Sequence, residues 1–227
     1  NISIFTNQNL QSIYFTVVTG KYKLIAGNKV ILTLNENDSV RFKRLSDKVE
    51  VVCDKEIIGV FDMVQATGLN TNNIFAITPT FPKQNTRVYD DDIFIKSVNG
   101  ELQIVNDVNF EKYVAATIES EGGYVAPTEY YKVQAILCRT YATKNYQRHL
   151  SEGFNLCDKV HCQAYRGKAV KNPNIVKASN QTKGLVIVDS NQEIITATFF
   201  SNSGGQTLNS EEYWTMKLPY LRSIKDT

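Results

Sequence analysis

The chain has little that is typical of membrane-spanning or nucleic-acid-binding proteins. No apolar run in its 227 residues approaches the roughly 20 residues that a membrane-spanning helix needs. Its formal net charge is only +2, and its lysines and arginines are scattered, so no basic surface for duplex nucleic acid is predicted. It also lacks low-complexity segments, and its apolar fraction of 42% is that of a globular protein with a buried core.

Cysteine and histidine are scarce, with four and two residues, yet half of these six lie close together. Cys157, His161 and Cys162 are separated by only a few residues. Thiolates and imidazoles are the ligands that proteins use for zinc, while two nearby cysteines form a disulfide in an oxidising compartment. The two remaining cysteines are expected to be isolated or buried thiols. A zinc site, a disulfide and free thiols therefore all remain open.

The first part of the chain, to about residue 105, is predicted to be β structure because short runs of β-branched and aromatic residues alternate with turn formers. The clearest hairpin signal is Asn99-Gly100 between the runs 92–98 and 101–105. Asn-Gly adopts the positive φ angles of a tight type I′ turn. We predict several antiparallel strands in a sandwich or small barrel.

Helical periodicity begins at Asn109, which is a good N-cap, and a first helix should end at about Ser120, before Gly122-Gly123. A second helix is predicted after Pro127, with Thr128 as N-cap. Further along, we predict a short helix at 173–184 and two paired strands at 185–189 and 193–200. The fold class is therefore α+β, with a β-rich N-terminal part followed by a helical and mixed α/β part.

Two acidic residues lie at the end of the first predicted helix. Glu119 and Glu121 would point about 200° apart on a helix, so they cannot both serve one cleft unless the helix has already ended. Glu121 adjoins Gly122-Gly123, where a ligand can approach the backbone. A carboxylic acid that holds its proton can protonate a leaving oxygen. We therefore consider Glu121 a candidate acid and interpret Glu119 as a solvated surface group.

Several ordered blocks carry a family resemblance. The first runs from Tyr113 to Ala142 and has as its landmarks Tyr113, Ser120-Glu121, Pro127, Glu129, Lys132, Gln134-Ala135 and Arg139-Thr140-Tyr141-Ala142. The later blocks are GFNLCD at 153–158, HCQAYRG at 161–167, FF at 199–200, SGGQT at 203–207, Trp214 and PYLRS at 219–223. Together they resemble the SpoIID/LytB domain family of stage II sporulation protein D and amidase-enhancer proteins. The resemblance divides the chain into a β-rich region, 1–86, and a SpoIID-like catalytic region, 87–227.

This resemblance implies a peptidoglycan lytic transglycosylase in which Glu121 is the single general acid and base. The acid protonates the glycosidic oxygen, the 6-hydroxyl of the muramic acid attacks its own anomeric carbon, and a 1,6-anhydro end forms without water. Glycan strands are then the partner, with cell-wall amidases as further candidates. The chain would act outside the cytoplasm, as a secreted, periplasmic or membrane-tethered protein whose export segment has been removed. The alternative is a non-catalytic peptidoglycan-binding or amidase-enhancing module.

The same comparison of motifs gives the other candidate residues. Candidate substrate-binding residues are Ser120, Tyr124, Gln134, Arg139, Tyr141, Tyr165, Ser203, Gly204, Gly205 and Thr207. For Arg139, an ordinary ion pair is as well supported as a role beside Glu121. Trp214 and Tyr220 could stack on sugar rings, but we expect them in the core.

Some members of this family hold zinc near the site, and this chain offers a full Cys2His2 set in His149, Cys157, His161 and Cys162. Four protein ligands close a tetrahedral shell, which indicates a structural ion that the chemistry does not require. His149 has an alternative role at the end of the second helix. Three departures from the family pattern bear on substrate preference: Glu119 in place of proline, Gly122-Gly123 in place of Met-Pro, and Gln206 in place of a basic residue.

Overall fold

The computed structural model describes residues 1–200 and 202–226. Within them lie thirteen strands in two sheets, four α-helices and one 3-10 turn at Leu150–Glu152. The strands are β1 (Ile2–Ile4), β2 (Ser12–Thr19), β3 (Tyr22–Ala26), β4 (Lys29–Leu34), β5 (Ser39–Leu45), β6 (Lys48–Cys53), β7 (Glu56–Phe61), β8 (Met63–Gly68), β9 (Ile74–Phe81), β10 (Arg87–Asp90), β11 (Asp92–Val98), β12 (Glu101–Asp107) and β13 (Leu156–Cys157). The helices are α1 (Phe110–Gly122), α2 (Thr128–Asn145), α3 (Pro173–Gln181) and α4 (Ser210–Tyr213). The α+β prediction is confirmed.

The strands form two separate sheets, and in the described residues neither sheet closes into a barrel. The strand order is β13-β1-β12-β11-β8-β3-β4 in one and β10-β9-β2-β5-β6-β7 in the other. Phe15 of the second sheet meets Tyr22 of the first edge to face, with ring centroids 5.3 Å apart. Alternate residues of both sheets are buried in one shared core. Of the two predicted arrangements, the packed sheets are observed.

The predicted Asn99-Gly100 hairpin is confirmed, and its second strand, β12, leads into the first helix. Asn99 and Gly100 have φ angles of 51° and 83°, as a type I′ turn requires. After β12, the side chain of Asn109 accepts hydrogen bonds from the backbone N–H groups of Glu111 and Lys112. This predicted N-cap fixes the start of α1 and hence the direction in which the helix runs.

The start of α2 differs from the prediction. Pro127 is the N-cap, with an extended backbone, and Thr128 is already the first helical residue. The expected Thr128 cap was wrong: no side chain caps this helix end. Proline suits the position because it has no N–H group to leave unpaired and its φ is already near the helical value.

The N-terminal strand is joined to the segment that carries the cysteines. β1 pairs in parallel with β13, which places Ser3 opposite Cys157. The buried carboxylate of Asp158 accepts hydrogen bonds from the N–H of Phe5 at 2.8 Å and from Arg87 at 2.9 Å. The division of the chain near residue 86 stays a prediction; β9 and β10, on either side of it, are neighbours in one sheet.

The region after α3 is less regular than predicted. Where two paired strands were predicted, at 185–189 and 193–200, the described residues have a single isolated bridge, between Val188 and Ile194. A two-stranded ribbon without further strands is marginally stable, and no third strand lies beside it in the described chain. No described helix combines the length and the apolar character that crossing a bilayer would require.

Candidate active site and metal cluster

Glu121 lies in the last turn of α1, which continues to Gly122. Its carboxylate oxygen Oε1 accepts a hydrogen bond from the backbone N–H of Ala164 at 2.6 Å. The helix has therefore not ended before the acid, and Glu119 and Glu121 point in different directions. One carboxylate oxygen of Glu121 is held by the protein, and the other, Oε2, is not bonded by any described residue.

A cleft of about 760 Å³ opens beside Glu121. Five of the lining residues belong to α1, α2 and the chain around the metal cluster, and we call them the acid-bearing wall: Glu121, Tyr141, Val160, Cys162 and Gln163. The other lining residues all come from the chain after residue 196, and we call them the aromatic wall: Ala197, Thr198, Phe199, Phe200, Asn202, Ser203, Gln206, Thr207, Leu208, Asn209, Ser210, Tyr213, Trp214, Tyr220, Leu221, Arg222 and Ile224. Among these described lining residues, Glu121 is the one carboxylate. A shallower groove along α3 shares no residue with the cleft.

The aromatic wall corrects one expectation. Trp214 was expected in the core, but it is 43% exposed and lines the cleft. Its ring meets that of Tyr213 edge to face at 5.1 Å. Tyr220 also lines the cleft, and its hydroxyl accepts a hydrogen bond from the backbone N–H of Thr196. Exposed aromatic faces of this kind suit the apolar faces of sugar rings.

Some of the predicted substrate-binding residues lie at the cleft. Tyr141, Ser203 and Thr207 line it. Gly204 and Gly205 follow Ser203 in the same loop, with φ angles of 68° and 97° that favour glycine. Ser120 adjoins Glu121, but its hydroxyl donates to the carbonyl of Ala116 and accepts from the N–H of Arg166.

Ser120, Gly204 and Gly205 are not themselves lining residues, and four other predicted residues do not line the cleft either. The hydroxyl of buried Tyr165 donates to Asn106 inside the core, and Gln134 is also buried. Tyr124 is exposed, and the Lys171 ammonium lies over its ring at 4.5 Å. Because Tyr165 and Gln134 are buried, they have no surface with which to contact a ligand in the cleft. The sequence alone does not separate such residues from cleft residues, because all belong to the same motif blocks.

Arg139, the fourth, forms the ion pair that was one of its two predicted roles. It is 1% exposed, and its guanidinium donates to both oxygens of Glu111, at 3.0 and 2.6 Å. Burial raises the pKa of the Glu111 carboxyl, but the hydrogen bonds from Arg139 and Ser179 outweigh burial, so that the net pKa is lowered. Arg139 therefore joins α1 to α2 and α3 and does not contact Glu121.

The four predicted metal ligands come together. The ligand atoms of His149, Cys157, His161 and Cys162 all lie within 4.8 Å of one another. The sulfur-to-nitrogen distances are 3.4 Å for Cys162–His149, 3.8 Å for Cys162–His161 and 3.9 Å for Cys157–His161. Ordinary zinc–ligand bond lengths give a tetrahedron whose sulfur-to-nitrogen edge is about 3.6 Å. The donor set and its spacing fit a tetrahedral zinc ion.

The chemistry of these side chains agrees with that fit. All four cysteines of the chain are free thiols. The hydrogen bond between the two thiols lowers the pKa of Cys162 to about 6 and raises the pKa of Cys157 to about 12, so the pair offers one thiolate at neutral pH. The second thiol would lose its proton on binding a metal. Nδ1 of His149 lies 2.5 Å from a Glu152 carboxylate oxygen, which leaves Nε2 to face the cluster. His149 does not end α2, which stops at Asn145.

The metal cluster and the cleft share a wall. Cys162 belongs to both, and Ala164, two residues later, donates to Glu121. Arg148 donates to the Tyr141 hydroxyl at 2.7 Å and to the carbonyl of His161 at 2.6 Å. Residues 161–164, which include the ligands His161 and Cys162, thus contact the acid through Ala164. They contact a cleft tyrosine through the carbonyl of His161, which accepts a hydrogen bond from the Tyr141 hydroxyl at 3.3 Å.

Several residues that line the cleft were not among the predicted site residues. Gln163 lines the cleft while its side-chain oxygen accepts from the Tyr113 hydroxyl, at 3.1 Å. Gln206 and Asn209 belong to the aromatic wall. The signal was available for all three, since each lies inside or beside a motif block, but the blocks do not say which side chains face the cleft.

Comparisons with known proteins agree with the motif blocks. Residues 98–188 match the family model SpoIID, described as Stage II sporulation protein. Stage II sporulation protein D of Bacillus subtilis (strain 168) is 33% identical over 138 residues, which are 54% of this chain and 40% of that protein. The amidase enhancer of the same organism is 39% identical over 97 residues, 42% of this chain and 12% of its own length.

An uncharacterized protein of Brachyspira hyodysenteriae is 25% identical over 234 residues, 99% of this chain and 60% of that protein. This chain therefore spans less than two thirds of the length of each of these relatives. The family match contains Glu121, the four clustered ligands and Tyr141, which are the residues that the structure brings to the acid-bearing wall and the metal cluster. Residues 98–188 of this chain are therefore similar to the SpoIID family.

Proposed function

We propose that this chain is a peptidoglycan lytic transglycosylase in which Glu121 is the general acid and then the general base. One observation carries the proposal: Glu121 is the single carboxylate among the described residues that line the cleft. Glycosidases that use water as nucleophile, or a protein nucleophile, place a second carboxylate across the bond. A reaction in which the substrate supplies its own nucleophile needs only one.

The hydrogen bond from Ala164 assigns the two oxygens of Glu121 different tasks. Oε1 is held at 2.6 Å from that backbone nitrogen, so Oε2 carries the proton. The proton passes to the bridging glycosidic oxygen as the bond between it and the anomeric carbon breaks. The 6-hydroxyl of the muramic residue then bonds to that carbon and gives its proton back to Oε2. The nucleophile belongs to the substrate, which gives it a high effective concentration.

The cleft would bind the glycan strand between its two walls. Trp214 and Tyr220 offer ring faces to the sugars, and Ser203 and Thr207 offer hydroxyl groups. Peptidoglycan lies outside the cytoplasmic membrane, so the site of action is extracytoplasmic. Cell-wall amidases are candidate partners, because the chain resembles a protein named amidase enhancer.

A zinc ion held by His149, Cys157, His161 and Cys162 completes the proposal. With four protein ligands the ion would have no open position for water or substrate, so it would act by holding the loop and not by activating a reactant. Through Ala164 and Arg148, that loop in turn holds Glu121 and Tyr141.

The test uses glycan strands from which the peptides have been removed. The purified chain should release products with 1,6-anhydro ends, which mass spectrometry separates from hydrolysis products because they are lighter by one water. Glu121→Gln should lower the rate at least about 100-fold, while its side-chain oxygen can still accept the hydrogen bond from Ala164. Glu129→Gln is the matched control, since Glu129 is exposed and pairs only with Lys132.

The second candidate is a binding module that stimulates an amidase, favoured by the similarity to the amidase enhancer. Binding of glycan strands without any anhydro product from the wild-type chain would favour this candidate. Full activity in Glu121→Gln would refute the role of the acid.

A further inference from the structure

The end of α1 is tied to the chain that follows the metal cluster by three consecutive side chains. Glu121 accepts from the N–H of Ala164 at 2.6 Å. Ser120 accepts from Arg166 at 3.2 Å. Glu119 accepts with one oxygen from both Val170, at 3.1 Å, and Lys171, at 2.8 Å. We call residues 164–171 the strap.

The strap winds around the end of the helix. Successive helical side chains diverge by about 100°, so Glu119 and Glu121 point to nearly opposite sides of α1. One stretch of chain can meet both only by passing around the helix, with Ser120 between them. Glu119 is therefore not the solvated surface group that the sequence suggested, because its carboxylate is half-buried and engaged by backbone donors.

The strap makes other contacts as well, including the bond from Tyr165 to Asn106 described above and one from the Lys168 ammonium to Asp90 at 2.7 Å. Its first residue, Ala164, lies two residues after Cys162 of the metal cluster. In its middle, the N–H of Lys168 donates to the carbonyl of Val88 at 2.7 Å. Gly167 has a φ of 120°, and a Cβ there would lie 2.4 Å from that same carbonyl oxygen, so the strap can approach β10 only with glycine at this position. Beyond the strap, Asn172 caps α3.

We propose that Glu119 is a positioning residue for Glu121, an assignment that rests on the proposed function of Glu121. Hydrogen bonds to a carboxylate are stronger than neutral ones, and Glu119 makes two of them at the far end of the strap. They hold the strap against α1, and the near end of the strap holds Oε1 of Glu121.

The experiment compares Glu119→Ala, which removes the acceptor, with Glu119→Gln, which keeps a carbonyl oxygen. We expect Glu119→Ala to lower kcat about tenfold with KM changed less than about twofold, since positioning affects the transition state more than binding. Glu119→Gln should restore most of kcat. Glu129→Ala, which changes an exposed glutamate on α2, should behave as wild type.

Amide hydrogen exchange supplies a readout that does not depend on activity. In Glu119→Ala we expect faster exchange at Val170 and Lys171, which lose their acceptor, and also at Ala164, which keeps its own. Unchanged exchange at Ala164 would overturn the proposal, since Glu119 would then anchor only its own end of the strap. If the wild-type chain makes no anhydro products, the proposed function fails, but exchange at Ala164 still decides whether Glu119 positions Glu121.

Discussion

The two walls of the cleft are held in place in different ways. On the acid-bearing wall, Glu121 and Gln163 are fixed by partners 43 and 50 residues away in sequence. On the aromatic wall, the hydrogen bonds of the described residues 188–226 stay within that range, apart from one to the carbonyl of Ile187. The acid is thus positioned by the tertiary fold, while the aromatic rings are held by local structure.

Because of this difference, we expect substitutions on the two walls to affect different properties. Changes behind the acid-bearing wall should reduce the stability of the whole domain, because they break contacts between distant parts of the chain. Changes on the aromatic wall should leave stability almost unaltered and weaken glycan binding instead. The following predictions test that contrast.

The largest effect is expected from the metal cluster. Cys162→Ser, or removal of the metal by a chelator, should lower the free energy of unfolding by more than about 5 kcal/mol, because a structural zinc site forms only in the folded chain. Urea unfolding with metal analysis measures this. Cys53→Ser is the control, since Cys53 lies on β6 and is not part of the cluster. A metal-free wild-type chain as stable as the metal-loaded one would contradict a structural role.

The buried ion pair behind the same wall comes next. Arg139→Met should lower the free energy of unfolding by roughly 3–5 kcal/mol, because it leaves the largely buried Glu111 carboxylate without its cation. Lys132→Met removes an exposed pair with Glu129 and should cost less than about 1 kcal/mol. Equal costs for the two variants, measured by urea unfolding, would show that Arg139 contributes no more than a surface residue.

The ion pair between Arg139 and Glu111 should also make the stability of the folded chain depend on pH. The pKa of Glu111 is lowered in the folded chain by hydrogen bonds that outweigh the opposing effect of burial. The stabilisation that Glu111 adds to the folded state is therefore fully present above the pKa that Glu111 has in the unfolded chain. It is lost as the pH falls through the lower pKa that Glu111 has in the folded chain. Arg139→Met should weaken this acid dependence.

Although the acid-bearing wall is held by contacts between distant residues, several features of the fold around it could be predicted from the sequence. The Asn109 cap and the Asn99-Gly100 turn are local signals, and both are observed. Cys157, His161 and Cys162 lie close together in sequence, so their spacing indicated a shared site, whereas His149 was included because of the family resemblance. The partner of Arg139 was not identified, because Glu111 lies 28 residues earlier on another helix and nothing local connects the two.

The aromatic wall was less predictable for a physical reason. Strand propensity at 185–200 indicated a ladder, but propensity alone does not supply the neighbouring strands that stabilise one. Trp214 was expected in the core because large aromatic residues are usually buried. Whether such a residue faces the core or a cleft depends on what packs against it, and that is fixed by tertiary structure.

The smallest effect on stability, but a clear effect on binding, is expected on this wall. Trp214→Ala should change the free energy of unfolding by less than about 0.5 kcal/mol, since the side chain is 43% exposed. It should weaken binding of a glycan oligosaccharide about tenfold in titration calorimetry, while Trp214→Phe keeps a ring and most of the affinity. Because Trp214 is the single tryptophan of the chain, its fluorescence in the wild type should also change on binding. Tyr146→Ala, at an exposed position outside the cleft, is the control. If Trp214→Ala binds normally but unfolds more easily, the aromatic wall is part of the core, and the contrast between the two walls fails.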